Sequence, residues 1–187
     1  MLSLLPDQKF NERKTTQAAA KFLKLAGGQM NYMLLIKLLY LLDRRALKKW
    51  GRPVSGDDYF SMKLGPVLSE VLDLITTEPG ASGYWGSHIS EPVRYVVSLA
   101  DDPGDDDLSE AEEQIIEEVH DHYGGYNPFQ LADELHQMLP EWEKIEQGRS
   151  PITYRAILEA LKKTPEEIAA IEEDLRSLST VRRYFTP

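Results

Sequence analysis

NYMLLIKLLYLLDRRALKKWG, Asn31 to Gly51, is the stretch on which the reading of this chain turns. Asn31 has the side chain of a helix N-cap, the apolar run continues to Trp50, and Gly51 supplies a left-handed terminating residue. A helix is therefore expected between them. Its most apolar part, Met33 to Leu42, is interrupted by Lys37 and is about half the ~20 residues a bilayer span needs, which makes it a buried helix with no membrane insertion. Projected at about 100° per residue, Met33, Lys37, Leu41, Arg44, Arg45, Lys48 and Lys49 share one broad side, with Ile36, Leu39, Ala46 and Trp50 on the other. Asp43 falls in the apolar set. A carboxylate there needs a partner, whether an arginine, a tyrosine hydroxyl, a histidine or backbone N–H groups. It is expected to act as a structural clamp.

Working outward, a preceding helix is expected from about Asn11 to Ala26, stopped by Gly27-Gly28. After the central helix, Arg52 to Asp58 reads as a turn rich in Pro53, Ser55, Gly56 and Asp57. Phe60, Met62 and Leu64 alternate like a short strand, and Gly65-Pro66 offers a helix start carrying Val67, Leu68, Val71, Leu72 and Ile75 inward to a stop at Pro79-Gly80. Two extended pieces are expected between Tyr84 and Ala100, forming a small antiparallel sheet with the Phe60 strand. DDPGDDD, Asp101 to Asp107, reads as a solvated loop of repelling charges. Ser109 with Glu112 has capping-box spacing for a helix ended by Gly124-Gly125, and Asn127-Pro128 starts another that runs towards Pro140. Ser150-Pro151 and Thr164-Pro165 each look like an N-cap followed by proline, with Glu167 completing a second capping box and the last helix running to about Leu178. The fold class expected is α+β, predominantly α-helical: a single compact helical domain over residues 1–187 with a small antiparallel β-sheet.

At 187 residues and 42% apolar content the chain can bury a sizeable core. It has no cysteine, which excludes disulfides and thiolate chemistry and suits a reducing compartment. Met1 to Pro6 has no basic region before its apolar patch and no cleavage site after it, so no signal peptide is expected and the expected location is cytoplasmic. The net charge of −10 argues against nucleic acid as a partner. The charge is uneven: Met1 to Gly65 holds 12 basic and 5 acidic residues, and the remainder 9 and 26, so that one end could meet an acidic partner and the other a basic one, or the two could simply be solvated faces.

The sequence contains no G-x-S-x-G elbow, phosphate-binding glycine loop or dinucleotide fingerprint. His120 and His122 point to different sides of a helix, a poor arrangement for joint metal coordination. His136 reads as a core histidine or a polar partner for Asp43. No catalytic residue, cofactor or metal is expected, although Asp43 and His136 remain the pair an acid–base enzyme would use. Tyr184-Phe185 are expected to be docked packing residues.

KLLYLLDRRAL from Lys37 to Leu47, Gly51-Arg52-Pro53 with Gly56-Asp57, and KLGPVLSEV from Lys63 to Val71 resemble, in order and spacing, the core pattern of the Panacea, or SocA-like, antitoxin domain. Leu135-His136 with Pro140 and Trp142 is similar to that family's later His…Pro-Trp signature, so the resemblance spans roughly Ala20 to Leu161. Here Glu141 stands between Pro140 and Trp142, which the family commonly has adjacent. The positions that match are Lys37, Leu38, Tyr40, Asp43, Arg44, Gly51, Gly56, Gly65, Pro66 and His136, and most have a scaffold role on plain structural grounds. The resemblance implies a non-enzymatic helical antitoxin that neutralises a cognate toxin protein, encoded by the adjacent gene, through direct contact, or an adaptor delivering that toxin to an AAA+ protease. Toxin specificity is expected on an exposed surface near the shared core: the outer face of the central helix at Lys37, Arg44, Lys48 and Trp50, with the turn from Arg52 to Tyr59. Trp50 and Tyr59 are its expected aromatic anchors.

Overall fold

The computed structural model describes residues 10–76 and 83–185, with side chains as far as Leu178. Among them eight helices and five short strands form one α+β arrangement that is mostly helical. The helices are α1 (Glu12–Leu25), α2 (Tyr32–Trp50), α3 (Ser69–Thr76), α4 (Gly83–His88), α5 (Glu110–Tyr123), α6 (Pro128–Met138), α7 (Tyr154–Ala160) and α8 (Pro165–Phe185). The strands are β1 (Gln29–Asn31), β2 (Tyr59–Met62), β3 (Gly65–Leu68), β4 (Val96–Ser98) and β5 (Ser150–Ile152).

α2 begins and ends where its sequence directs. The Asn31 side chain accepts from the Met33 N–H, and Gly51 closes the helix at φ 68°, with its N–H on the Leu47 carbonyl. The two-sided projection of this helix, however, is corrected. α1, α3, α5, α6, α7, β1 and β3 all pack on α2, so it is the axis of the core and not a surface helix with one wet face. Leu41 and Lys37, expected outside, are buried with Leu35, Leu38, Leu39 and Leu42.

Local capping rules also hold elsewhere. Asn11 caps α1, Asn127 caps α6 with Pro128 behind it, Ser109 and Glu112 form a capping box on α5, and Thr164 and Glu167 exchange both capping hydrogen bonds on α8. α8 runs on to Phe185, past the expected end near Leu178.

Several expectations fail where distant residues decide. Gly65-Pro66 does not start a helix; it opens β3, paired antiparallel with β2 so that Ser61 faces Pro66 and Met62 faces Gly65. The strand order is β3-β2-β5, which leaves Pro66 on an edge, where its missing N–H costs no ladder bond. The helix starts only at Ser69, because the buried Asp57 carboxylate accepts from the N–H groups of Glu70 (2.9 Å) and Val71 (3.1 Å). Leu64 lies in the hairpin turn, outside β2. Ser150-Pro151 likewise belongs to strand β5 on β2, and α7 is capped by Thr153 instead. Of the two extended pieces expected between Tyr84 and Ala100, the first is α4, held by a carboxylate oxygen of Glu12 on the Trp85 N–H (2.8 Å) and by burial of Trp85. The second forms β4 but pairs with β1, so there are two small sheets and not one. The expected stop at Pro79-Gly80 lies outside the described residues, as do the side chains of Tyr184 and Phe185.

Part of the charge asymmetry is met inside the molecule. Arg13 pairs with Asp106 and Asp107, Lys14 with Glu112, Lys21 with Glu113 and Glu117, Lys24 with Asp102, Arg44 with Glu141, Arg45 with Glu118, and Arg52 with Asp174. Each pair joins the basic first third to the acidic remainder. The Asp101–Asp107 loop is therefore not a run of merely repelling charges. Gln17 donates to Asp106, and its hydrogen bond with Arg13's charge holds the Asp106 carboxyl below the usual range; Lys24 does the same for Asp102.

Candidate functional site

The residues singled out in the sequence converge along α2, in two buried polar clusters and one surface patch. The first cluster is centred on Asp43, which is 1% exposed. Its Oδ1 accepts from the N–H groups of Val54 (2.8 Å) and Ser55 (2.9 Å), and its Oδ2 from the hydroxyls of Ser55 and Tyr59 (2.9 Å to Tyr59). The expected clamp is real, built from backbone N–H groups and hydroxyls. Burial pushes the Asp43 carboxyl up, while the donors of Ser55, Tyr59 and Val54 oppose the shift. His136 is not among these partners, so the Asp43–His136 pair that acid–base chemistry would use is not assembled. The clamp folds the 52–58 turn inward: Val54, Ser55 and Asp57 are buried, and Tyr154 donates to the Asp57 carbonyl (3.0 Å). Burial pushes the Asp57 carboxyl up to about 7, against its three backbone donors at Glu70, Val71 and Asp58.

One turn away, the Glu141 carboxylate accepts from the Tyr40 hydroxyl (2.9 Å) and from Arg44 Nε (2.6 Å) and Nη2 (3.3 Å). Glu141 is buried, and sequence reasoning passed over it as an interruption between Pro140 and Trp142. Its signal was present: an acid inside an otherwise apolar turn, with Arg44 unmatched on the central helix.

The second cluster holds Lys37, Gly65, His136 and Trp142. Lys37 is 2% exposed, and no hydrogen bond or ion pair reaches it from the described residues. Burial lowers the pKa of its ammonium to about 8. The His136 ring stacks on Trp142 at 3.8 Å and 10°, and its buried Nε2 has no hydrogen-bond partner. Desolvation lowers the His136 pKa, Asp133 opposes the shift, and Lys37 and Lys144 add to it. Trp142 Nε1 donates to the Met62 carbonyl (3.1 Å), which fixes the stack against β2.

The surface patch is what remains of the expected interface. Lys37 and Tyr59 are buried, so neither stands on an outer face; the amphipathic projection placed Lys37 outside because it assumed one buried side. Tyr59 is 1% exposed, held by Asp43 and by edge-on contacts with Tyr40 and Tyr154. Arg44 is occupied by Glu141. Lys48 and Trp50 remain exposed at the end of α2, Trp50 at 42%, beside an exposed Lys49, and Arg52 makes only a loose 3.5 Å pair with Asp174. α8 rests directly on Gly51, where an added Cβ would lie 2.7 Å from Ile171.

A mostly helical α+β scaffold with two buried polar clusters tied to one central helix is the class this geometry defines. Residues 35–143, more than half of the chain, match the family described as antitoxin SocA-like, Panacea domain, and the chain belongs to that family. The match is narrower than the Ala20–Leu161 span of the resemblance and includes both polar clusters. No curated protein and no solved structure matches the chain. Among the described residues no helix is long and apolar enough to cross a membrane, and no cluster of His, Cys, Asp or Glu is arranged to hold a metal ion.

Proposed function

We propose that this chain is the antitoxin of a toxin–antitoxin pair and neutralises its toxin by stoichiometric binding. The observation that carries the reading is membership of the SocA-like antitoxin family over residues 35–143. Its chemistry agrees: Asp43, Tyr40 and Glu141 spend their polar atoms on one another's segments and act as scaffold. The docking surface is the end of α2, with Lys48, Lys49 and Trp50 at its centre and Arg52 at its rim. The cations of α1, and Arg44 and Arg45 of α2, are paired internally, whereas Lys48 and Lys49 are exposed and have no ion pair among the described residues. Two exposed ammonium groups just before a half-exposed tryptophan suit an acidic segment of the toxin, the indole acting as the anchor.

The test is co-expression with the product of the neighbouring gene, scoring growth rescue and co-purification. Lys48→Glu, Lys49→Glu and Trp50→Ala together are expected to abolish rescue and weaken the complex at least about thirtyfold, with an unchanged circular dichroism spectrum. Full rescue by this variant removes the surface from consideration. Rescue by the wild type accompanied by disappearance of the toxin, and restored toxicity in cells lacking the AAA+ protease, would replace sequestration with the adaptor role.

A further inference from the structure

A lysine ammonium inside a protein ordinarily has an acceptor, and a buried imidazole nitrogen ordinarily has a partner. Here two such groups lack one, and they point to the same place. An added Cβ on Gly65 would lie in ordinary contact with Lys37 Nζ (3.4 Å) and near His136 Nε2 (3.8 Å), so both nitrogens face the same side of the Gly65 backbone. Gly65 sits at φ 107°, a conformation side chains avoid, so glycine is required here for a backbone reason as well. The Trp142 stack and its bond to Met62 hold the imidazole in position.

We infer that Lys37, His136 and Gly65 form a binding site for a single carboxylate, with Lys37 Nζ and His136 Nε2 as its two donors. One buried positive charge calls for one negative charge, and a monoanion supplies it. A phosphate dianion would leave excess charge buried, with more oxygens than these donors can satisfy. The carboxylate comes either from an acidic residue or chain end of a bound protein, or from a free small acid. The site itself is a property of this chain and does not depend on the antitoxin reading.

The probe is sodium acetate, titrated into the full-length protein while the His136 ring and Gly65 amide resonances are followed by NMR, with sodium chloride at equal ionic strength as control. Saturable acetate-specific shifts at both residues are expected, with midpoints raised at least about tenfold in Lys37→Met and in His136→Phe, which keeps the stack on Trp142 but removes the nitrogen. Shifts that do not saturate, that chloride reproduces, or that persist unchanged in both variants overturn the site. Repeating the titration on the complex purified by co-expression separates the sources: acetate shifts abolished there place a partner's carboxylate in the site, and shifts retained there assign it to free acids. Failure to obtain a complex would count against the antitoxin reading alone, since the titration of the free chain decides the site.

Discussion

At the scale of single residues, the centre of this protein contrasts two ways of burying charge. Asp43 is surrounded by four donors from its own chain, two of them backbone N–H groups that side-chain truncation leaves in place, and so it closes the 52–58 turn onto α2. Lys37, two turns earlier on the same helix, is equally buried and has nothing to offset its desolvation. Its folded pKa of about 8 lies below the ordinary 10.5, so the unfolded chain holds the proton more tightly. The resulting penalty is fully present below about pH 8 and is relieved as pH rises towards 10.5. At one pKa unit per ~1.4 kcal/mol it amounts to about 3 kcal/mol. Lys37→Met is therefore expected to be more stable than wild type at pH 7 by about that amount, with the difference shrinking towards pH 10. The buried hydroxyls of Tyr40, Tyr59 and Tyr154 are pushed well up and lower stability at high pH in both proteins, so they cancel in the comparison. Urea midpoints at several pH values measure it. A pH-independent difference would mean that Lys37 is not desolvated.

At the scale of elements, closeness of approach fixes where helices sit. The end of α2 is a left-handed glycine, and α8 uses the absence of a side chain there to bring Ile171 onto the backbone. Gly51→Ala must bear a left-handed alanine and a contact below 3 Å together. A loss of about 2 kcal/mol or more is expected, with the largest amide shifts in α8. An unchanged thermal midpoint would show that α8 is not seated on this position. The turn at Arg94-Tyr95 has the opposite character. Both residues hold positive φ, at 51° and 70°, in a two-residue hairpin between Val93 and Val96 that favours asparagine and glycine. Capped helices such as α1, α2, α5 and α6 were legible in advance because their determinants lie within four residues of each end. The start of α3, and α4 and β5 altogether, were not, since Asp57, Glu12 and β2 supply their determinants from elsewhere in the chain.

At the scale of the whole molecule, we propose that the chain folds as one cooperative unit larger than the family match. One hydrophobic core runs from Ala18 and Phe22 on α1 through α2 to Ile157, Leu158 and Ile168 on α7 and α8. β5, also outside the match, completes the sheet on β2. A fragment of residues 35–143 would expose the α1 and α7 faces of α2 and leave β2 unpaired on one side. It is expected to give a collapsed NMR amide spectrum and no cooperative thermal transition, whereas the full chain melts in one step. A well-dispersed spectrum from that fragment would confine the folding unit to the matched residues.

What the sequence determined by itself was what short-range chemistry controls: the two ends of α2, the capping boxes of α5 and α8, the inward direction of Asp43, and the family to which the Lys37–Val71 block belongs. The tertiary structure alone decided that α2 is surrounded, and hence that Lys37 and Tyr59 are buried, that Glu141 holds Tyr40 and Arg44, and that seven cations of the basic first third pair with acids of the remainder. The physical reason is range. A cap or a turn is set by neighbours in sequence, so its residues announce it. Burial, ion pairing and the approach of Lys37 and His136 to Gly65 depend on contacts between residues as much as 122 positions apart, which no local pattern encodes.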